Sequence, residues 1–130
     1  MGSQRSGSLV LDSGALIGFE RSDRRVVTLI ELSLEHGRSL HIPAGVVAQV
    51  WRDGSRQARL ARLVRSRSVT IDALDLSEAQ GVGAVCGLSQ TSDIVDASVV
   101  LVARRHRAPV VTSDPDDLLR IDPAVVVHRC

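Results

Sequence analysis

The stretch Leu9-Val10-Leu11-Asp12-Ser13-Gly14-Ala15-Leu16 decides how this chain is read. Three aliphatic residues, with β-branched Val10 between two leucines, predict a short strand that is apolar on both faces. Such strands belong in the buried middle of a parallel sheet. Ser13 then opens a helix through about Glu20. Asp12 stands at the junction, at the carboxyl end of the strand, where open α/β sheets hold their ligands. The pattern recurs late in the chain, where Pro109-Val110-Val111-Thr112-Ser113 ends in Asp114, with Asp116 and Asp117 close behind. Asp93 and Asp96 open the long apolar stretch that precedes it. With both runs as parallel strands, these carboxylates converge on one sheet edge and repel one another unless a cation or a proton intervenes. A set of oxygen ligands suits Mg²⁺ or Mn²⁺. The chain reads as a small metal-dependent enzyme acting on phosphate esters, with one or two ions activating a water and stabilising the leaving oxygen.

Working outward, strands alternate with helices. A helix is predicted over about 23–36, with Val26, Val27, Ile30 and Leu34 on its apolar face and Gly37 as its stop. A strand at 40–42 leads through Pro43 into a helix from Ala44 to about Trp51. Gly54 breaks it, and Ser55 starts a further helix through about Arg65. A strand at 69–71 precedes a helix over about 77–88, loosened by Gly81, Gly83 and Gly87. Thr91 or Ser92 begins the next helix, which carries Asp93 and Asp96 in its first turns. A strand at 109–112, a short helix at 116–121 and a last strand at 124–127 complete the series. This order predicts a mostly parallel sheet covered on both faces, in a three-layer α/β/α sandwich.

The chain has 130 residues, which predicts one domain over 9–130 behind a flexible, Gly/Ser-rich segment at 1–8. Hydrophobic residues make up 44% of it, with one Phe, one Trp and no Tyr, which favours aliphatic packing and argues against base-stacking platforms. A net charge of +1 assigns any nucleic-acid contact to a local patch. Every basic residue is Arg, and the missing Lys argues against a P-loop and against other phosphotransfer domains that use one. Cys86 and Cys130 are far apart and form no metal motif, which predicts a reducing, cytoplasmic setting. No apolar run is long enough for a membrane span.

Each acid also has a plain structural explanation. Asp12 fits a turn, Asp93 and Asp96 complement a helix dipole, and Asp114 to Asp117 fit a turn and a cap. Their combination favours a site, because buried strands that end in Asp at two places carry a desolvation cost unless something binds there.

Taken in order, Leu9 to Leu16, Ile42-Pro43-Ala44-Gly45-Val46-Val47-Ala48-Gln49-Val50, Asp93-Ile94-Val95-Asp96-Ala97, and Val110-Val111-Thr112-Ser113-Asp114-Pro115-Asp116-Asp117-Leu118 resemble a PIN domain. The likeness is to the VapC-type toxin ribonucleases of bacterial toxin–antitoxin pairs, and it spans most of the chain from Leu9 to Val127. It implies a three-layer PIN-like fold, an acidic Mg²⁺ or Mn²⁺ site and cleavage of RNA. It also implies a homodimer and a protein antitoxin. By motif, Asp12, Asp96 and Asp114 are implied as the catalytic metal ligands, with Asp93 and Asp117 as further metal-site acids and Ser13 beside them. The chain departs from the family at Gln49, which stands where the family has Glu. Gln offers a carbonyl oxygen without negative charge. Asp93, on the helix face of Asp96, is the residue placed to compensate.

Two readings stay open. One is a metal-dependent endoribonuclease. The other is a PIN-fold RNA- or protein-binding protein with weak or no nuclease activity, which Gln49 favours. Arg52, Arg56, Arg59, Arg62 and Arg65 recur at helical spacing and suggest either an RNA or partner track or a solvated helix face. Arg104, Arg105 and Arg107 fit the end of a helix. Trp51 reads as a core anchor. His36, His41, His106 and His128 show no ligand spacing and receive no role.

Overall fold

A computed structural model of the chain describes residues 7–130. The segment 1–6 of the expected flexible tail lies outside the described residues. Ser8, also assigned to that tail, instead begins the first strand, β1 (Ser8–Leu11). Then follow α1 (Ser13–Glu20), α2 (Arg24–Glu35), β2 (Ser39–Pro43), α3 (Ala44–Val50), α4 (Ala58–Val64) and β3 (Val69–Asp72). The second half runs α5 (Leu76–Ser89), α6 (Ile94–His106), β4 (Val110–Thr112), α7 (Pro115–Ile121) and β5 (Val127–Arg129).

The five strands form one sheet in the order β3-β2-β1-β4-β5, and every pairing is parallel. The sheet is thus wholly rather than mostly parallel. β1 lies at its centre, as its two-faced apolar sequence requires, and Leu9, Val10 and Leu11 are buried. The edge strand β3 keeps Thr70 and Ile71 exposed. Helices α1, α2 and α4 pack as one group, and α5, α6 and α7 as another. Right-handed crossovers put the two groups on opposite faces, which gives the three-layer α/β/α architecture. α3 touches both α1 and α6. The core helix is α6, whose Val99, Val100 and Val102 are fully buried, each contributing roughly 1.5–3 kcal/mol of burial free energy. No single helix among the described residues is long and apolar enough to cross a membrane.

Four local expectations need correction, and in each a side chain or close contact sets the outcome. The helix expected over 55–65 begins only at Ala58. The Asp53 carboxylate takes both the N–H and the hydroxyl of Ser55, and Gln57 closes the loop behind it. The Gln57 carbonyl accepts from Arg52 and Asp53, and its amide donates to Val50 and Glu20. The last strand, expected over 124–127, is β5 at Val127–Arg129, because the Asp122 carboxylate accepts from Ala124 N–H and holds that segment in a turn. Asp93 lies just outside the helix that was expected to contain it: it caps α6, which starts at Ile94. The glycines of α5 do not loosen it. The helix is continuous, and a Cβ at Gly81 would lie 2.9 Å from Leu101 of α6, so Gly81 permits close helix packing.

Candidate functional site

The carboxyl ends of β1 and β4 are adjacent, since Leu11 pairs with Val111. Asp12 follows β1 and is buried, 6% exposed, whereas Asp114 follows β4 and is exposed. Asp12 is held rigidly. Its Oδ1 accepts from Ser13 N–H at 2.7 Å, and its Oδ2 accepts from the Thr112 hydroxyl at 2.9 Å. That same hydroxyl oxygen accepts from Asp114 N–H at 3.0 Å. Thr112, fully buried on β4, thereby ties the two acid-bearing junctions together. No sequence motif singled out Thr112; its position two residues before Asp114 on a strand end was the available signal.

The third contributor is the amino end of α6. Asp93 Oδ1 accepts from Asp96 N–H at 2.9 Å, a cap bond that fixes both residues. Burial lifts the Asp12 carboxyl above its ordinary value, against the hydrogen bonds from Ser13 and Thr112; the charges of Asp114 and Asp93 lift it further. Asp96 is pushed up to about 7, first by burial and then by the charges of Asp93 and Asp12, with a contribution from Asp117. These carboxylates therefore act on one another electrostatically. Asp93, Asp96 and Asp117 also line a cleft of about 300 Å³, together with Ser89, Gln90, Thr91, Arg120 and Ile121. Asp114 caps α7 without using its side chain, whose carboxylate makes no hydrogen bond among the described residues.

An all-oxygen, all-negative donor set with one acid forced towards neutrality fits a hard divalent cation. Each Asp12 oxygen accepts one hydrogen bond and keeps a further lone pair. Ser13 contributes its backbone N–H to Asp12, as the opening residue of α1. Gln49 lies on α3, exposed, and makes no hydrogen bond among the described residues. α3 itself touches α1 and α6, the two helices whose amino ends carry the acids.

The expected arginine stripe is not one helix face. Arg52 and Arg56 lie in the loop before α4, while Arg59 and Arg62 lie on it and Arg65 caps it. Arg52 donates to the Ala48 and Trp51 carbonyls, and Arg59 lies over the Phe19 ring and bonds Ser22. Arg56 has only a loose, exposed pairing with Asp53 at 3.8 Å. Trp51 packs against the core, as expected of an anchor.

No family model and no curated protein matches this sequence. Solved structures do resemble it. A chain of VapBC2 from Rickettsia felis, bound in its crystal to a DNA fragment from the promoter, superposes with a TM-score of 0.70 at 14% identity. The match covers 95% of this chain and 98% of that one. A chain of FitAcB from Neisseria gonorrhoeae gives 0.63 at 18% identity, over 93% of this chain and 96% of its own. A chain of FitAB bound to the IR36 DNA fragment gives 0.62 at 17% identity, over 93% and 94%. These likenesses run nearly end to end and establish the fold: a three-layer α/β/α PIN-like sandwich.

Proposed function

We propose that this chain is a metal-dependent endoribonuclease, the toxin of a toxin–antitoxin pair. The observation that carries the reading is the placement of Asp12 and Asp114 on adjacent strand ends tied through Thr112, with Asp96 at the amino end of α6 close enough for the Asp12 charge to act on it. The likeness to VapBC2 and to the Fit complexes supports the same reading at the level of fold.

Asp12, Asp96 and Asp114 would hold the ion, with Asp93 and Asp117 adding negative charge around it. When bound, Mg²⁺ or Mn²⁺ supplies Lewis acidity at the scissile phosphate and a water activated for attack. The chain's own work is positioning. Thr112 and the Ser13 N–H hold Asp12 in one rotamer, and the cap bond holds Asp96 relative to Asp93. Without a cation Asp96 is pushed up to about 7 by burial and its acidic neighbours; a bound ion would offset that repulsion and favour the ionised, ligating form. Gln49 supplies an uncharged carbonyl where the family's Glu would add a charge. RNA phosphates would meet Arg56 first, since Arg52 and Arg59 are engaged within the chain. Cytoplasmic residence, a homodimer and a protein antitoxin belong to the same proposal.

A second reading is favoured by Gln49 itself: a PIN-fold protein that binds RNA or a partner without cutting. One experiment separates the two. A pool of structured RNA is incubated with wild type, Asp12→Asn and Gln49→Glu, in Mg²⁺, Mn²⁺ or EDTA. The nuclease reading expects cleavage by the wild type only with metal, and none by Asp12→Asn. A silent wild type with an active Gln49→Glu variant favours the binding protein, and silence from the wild type and both variants removes the nuclease reading.

A further inference from the structure

A second cluster lies at the far end of α6, about 15 Å from Asp96 at 1.5 Å per residue. The chain-distant residues His41 of β2, Asp72 of β3 and His106 of α6 meet there. Sheet register explains how. His41 pairs with Thr70, so Asp72, two residues on, projects from the same face of the neighbouring strand. α6 then crosses β2 and brings His106 over it. The His41 and His106 rings stack with centroids 3.7 Å apart and planes 19° from parallel.

The distances are those of ligands awaiting an ion. His41 Nδ1 lies 3.4 Å from Asp72 Oδ2, and His106 Nε2 lies 3.8 Å from Asp72 Oδ1. One donor atom from each residue falls within 4.8 Å of the other two. A tetrahedral zinc with bonds of about 2.0–2.2 Å holds its ligand atoms roughly 3.3–3.6 Å apart, so the separations suit an ion once the stacked rings turn to aim their nitrogen lone pairs at one point. Asp72 and His41 face one another directly, but at 3.4 Å the pair is long for a hydrogen bond, and His106 Nε2 stands further off at 3.8 Å. His41 Nδ1, His106 Nε2 and Asp72 Oδ2 are all buried and have no hydrogen-bond partner among the described residues. A buried polar group left unsatisfied costs about 1–3 kcal/mol, so three lying together favour a bound ion that would satisfy all of them.

Neighbouring charge permits a cation. Arg105 is bound to Glu78 and stands 3.9 Å from Asp72, so its charge is answered by Glu78. Access runs past His106, whose side chain is 27% exposed against 9% and 12% for the other two. Two imidazoles and one carboxylate select a later first-row ion over Mg²⁺, and three protein ligands leave a fourth position for water.

We propose that His41, Asp72 and His106 bind a zinc-class divalent cation that clamps the edge strand β3 and the central layer to the carboxyl end of α6. This site is independent of the acidic one. Zn²⁺ alone is the probe, measured by equilibrium dialysis on the full chain carrying Asp12→Asn to weaken the acidic end. The expected result is one Zn²⁺ per chain, weakened at least tenfold by adding His106→Gln, with a visible absorption band when Co²⁺ replaces Zn²⁺. Asp72→Asn provides a second loss of ligand at almost constant volume, read alongside circular dichroism for folding. Absence of Zn²⁺ binding in the Asp12→Asn chain, or binding unchanged by both His106→Gln and Asp72→Asn, overturns the proposal.

Discussion

The two ends of α6 carry titratable clusters built on opposite plans. At the amino end Asp93 and Asp96 meet Asp12 and Asp114, and every member is an acid. At the carboxyl end Asp72 and Glu78 sit among Arg105, His41 and His106, so the charge is already mixed. Both plans agree with the helix dipole, which favours anions at the first turn and cations at the last. The difference concerns what each end lacks. The acid end holds more negative charge than Arg120, 3.5 Å from Asp117, can offset, and calls for a hard cation or a proton. The mixed end lacks close hydrogen-bond partners for imidazole nitrogen and carboxylate atoms among the described residues, which suits an ion that imidazole prefers.

The largest expected effect tests the acid end through pH and Mg²⁺. Asp96 moves from the ordinary 3.8 to about 7 in the folded chain, so the folded state holds its proton more tightly than the unfolded one. Its contribution to stability is therefore fully present below 3.8 and is lost as pH rises through about 7. Chemical unfolding of the metal-free chain across that window should show stability falling with pH, and Asp96→Asn should flatten the fall. Mg²⁺ at about a hundred times its Kd adds about 2.7 kcal/mol to a protein that binds it only when folded. Wild type and His106→Gln should both gain this, and Asp96→Asn should lose most of it. An equal gain in Asp96→Asn would erase the contrast between the two ends.

A smaller effect comes from the packing that holds the acid end in place. A Cβ built on Gly14 would meet Ser113, 2.7 Å from its Cβ and 3.0 Å from its backbone nitrogen. The hydroxyl of Ser113 can turn away, but those two atoms cannot, so Gly14→Ala must displace the junction that leads into Asp114. The expected cost is about 1–3 kcal/mol, the usual range for overpacking. RNA cleavage should fall with it, while Zn²⁺ uptake at the other end of α6 stays at the wild-type level. Thermal melts and dialysis on the same preparation check both halves.

The sequence exposed these two ends unequally, for a physical reason. Asp12 and Asp114 each end an apolar run and Asp93 opens one, so the strand ends and the acid edge were visible in one dimension. So were the alternation of strands and helices and the central place of β1. His41, Asp72 and His106 come from three elements and share no spacing; only the β2–β3 register and the crossing of α6 unite them. Thr112 was hidden similarly, because its function is a bond to Asp12, the residue that follows the neighbouring strand. The misplaced boundaries at α4 and β5 have another origin. Asp53, Gln57 and Asp122 spend their side chains on nearby backbone groups, and such local bonds compete with helix and strand without changing the apolar pattern.

The smallest expected change is the sharpest test of why the acid end is strained. Asp93 does two things: it caps α6 through its bond to Asp96 N–H, and it places a like charge beside Asp96. Asn caps a helix about as well as Asp, so Asp93→Asn should leave stability within a few tenths of a kcal/mol. Loss of one anion from the helix start opposes folding slightly, and relief of repulsion favours it, so the two nearly cancel. The titration of Asp96 should still move, from about 7 towards the ordinary 3.8. It should stop short of that value, because burial, the larger cause, is untouched. Carboxyl carbon shifts followed by NMR through a pH series read this directly. If Asp96 titrates at the same pH with and without the Asp93 charge, burial alone sets it, and the acid end is no longer a set of mutually repelling groups that calls for a cation.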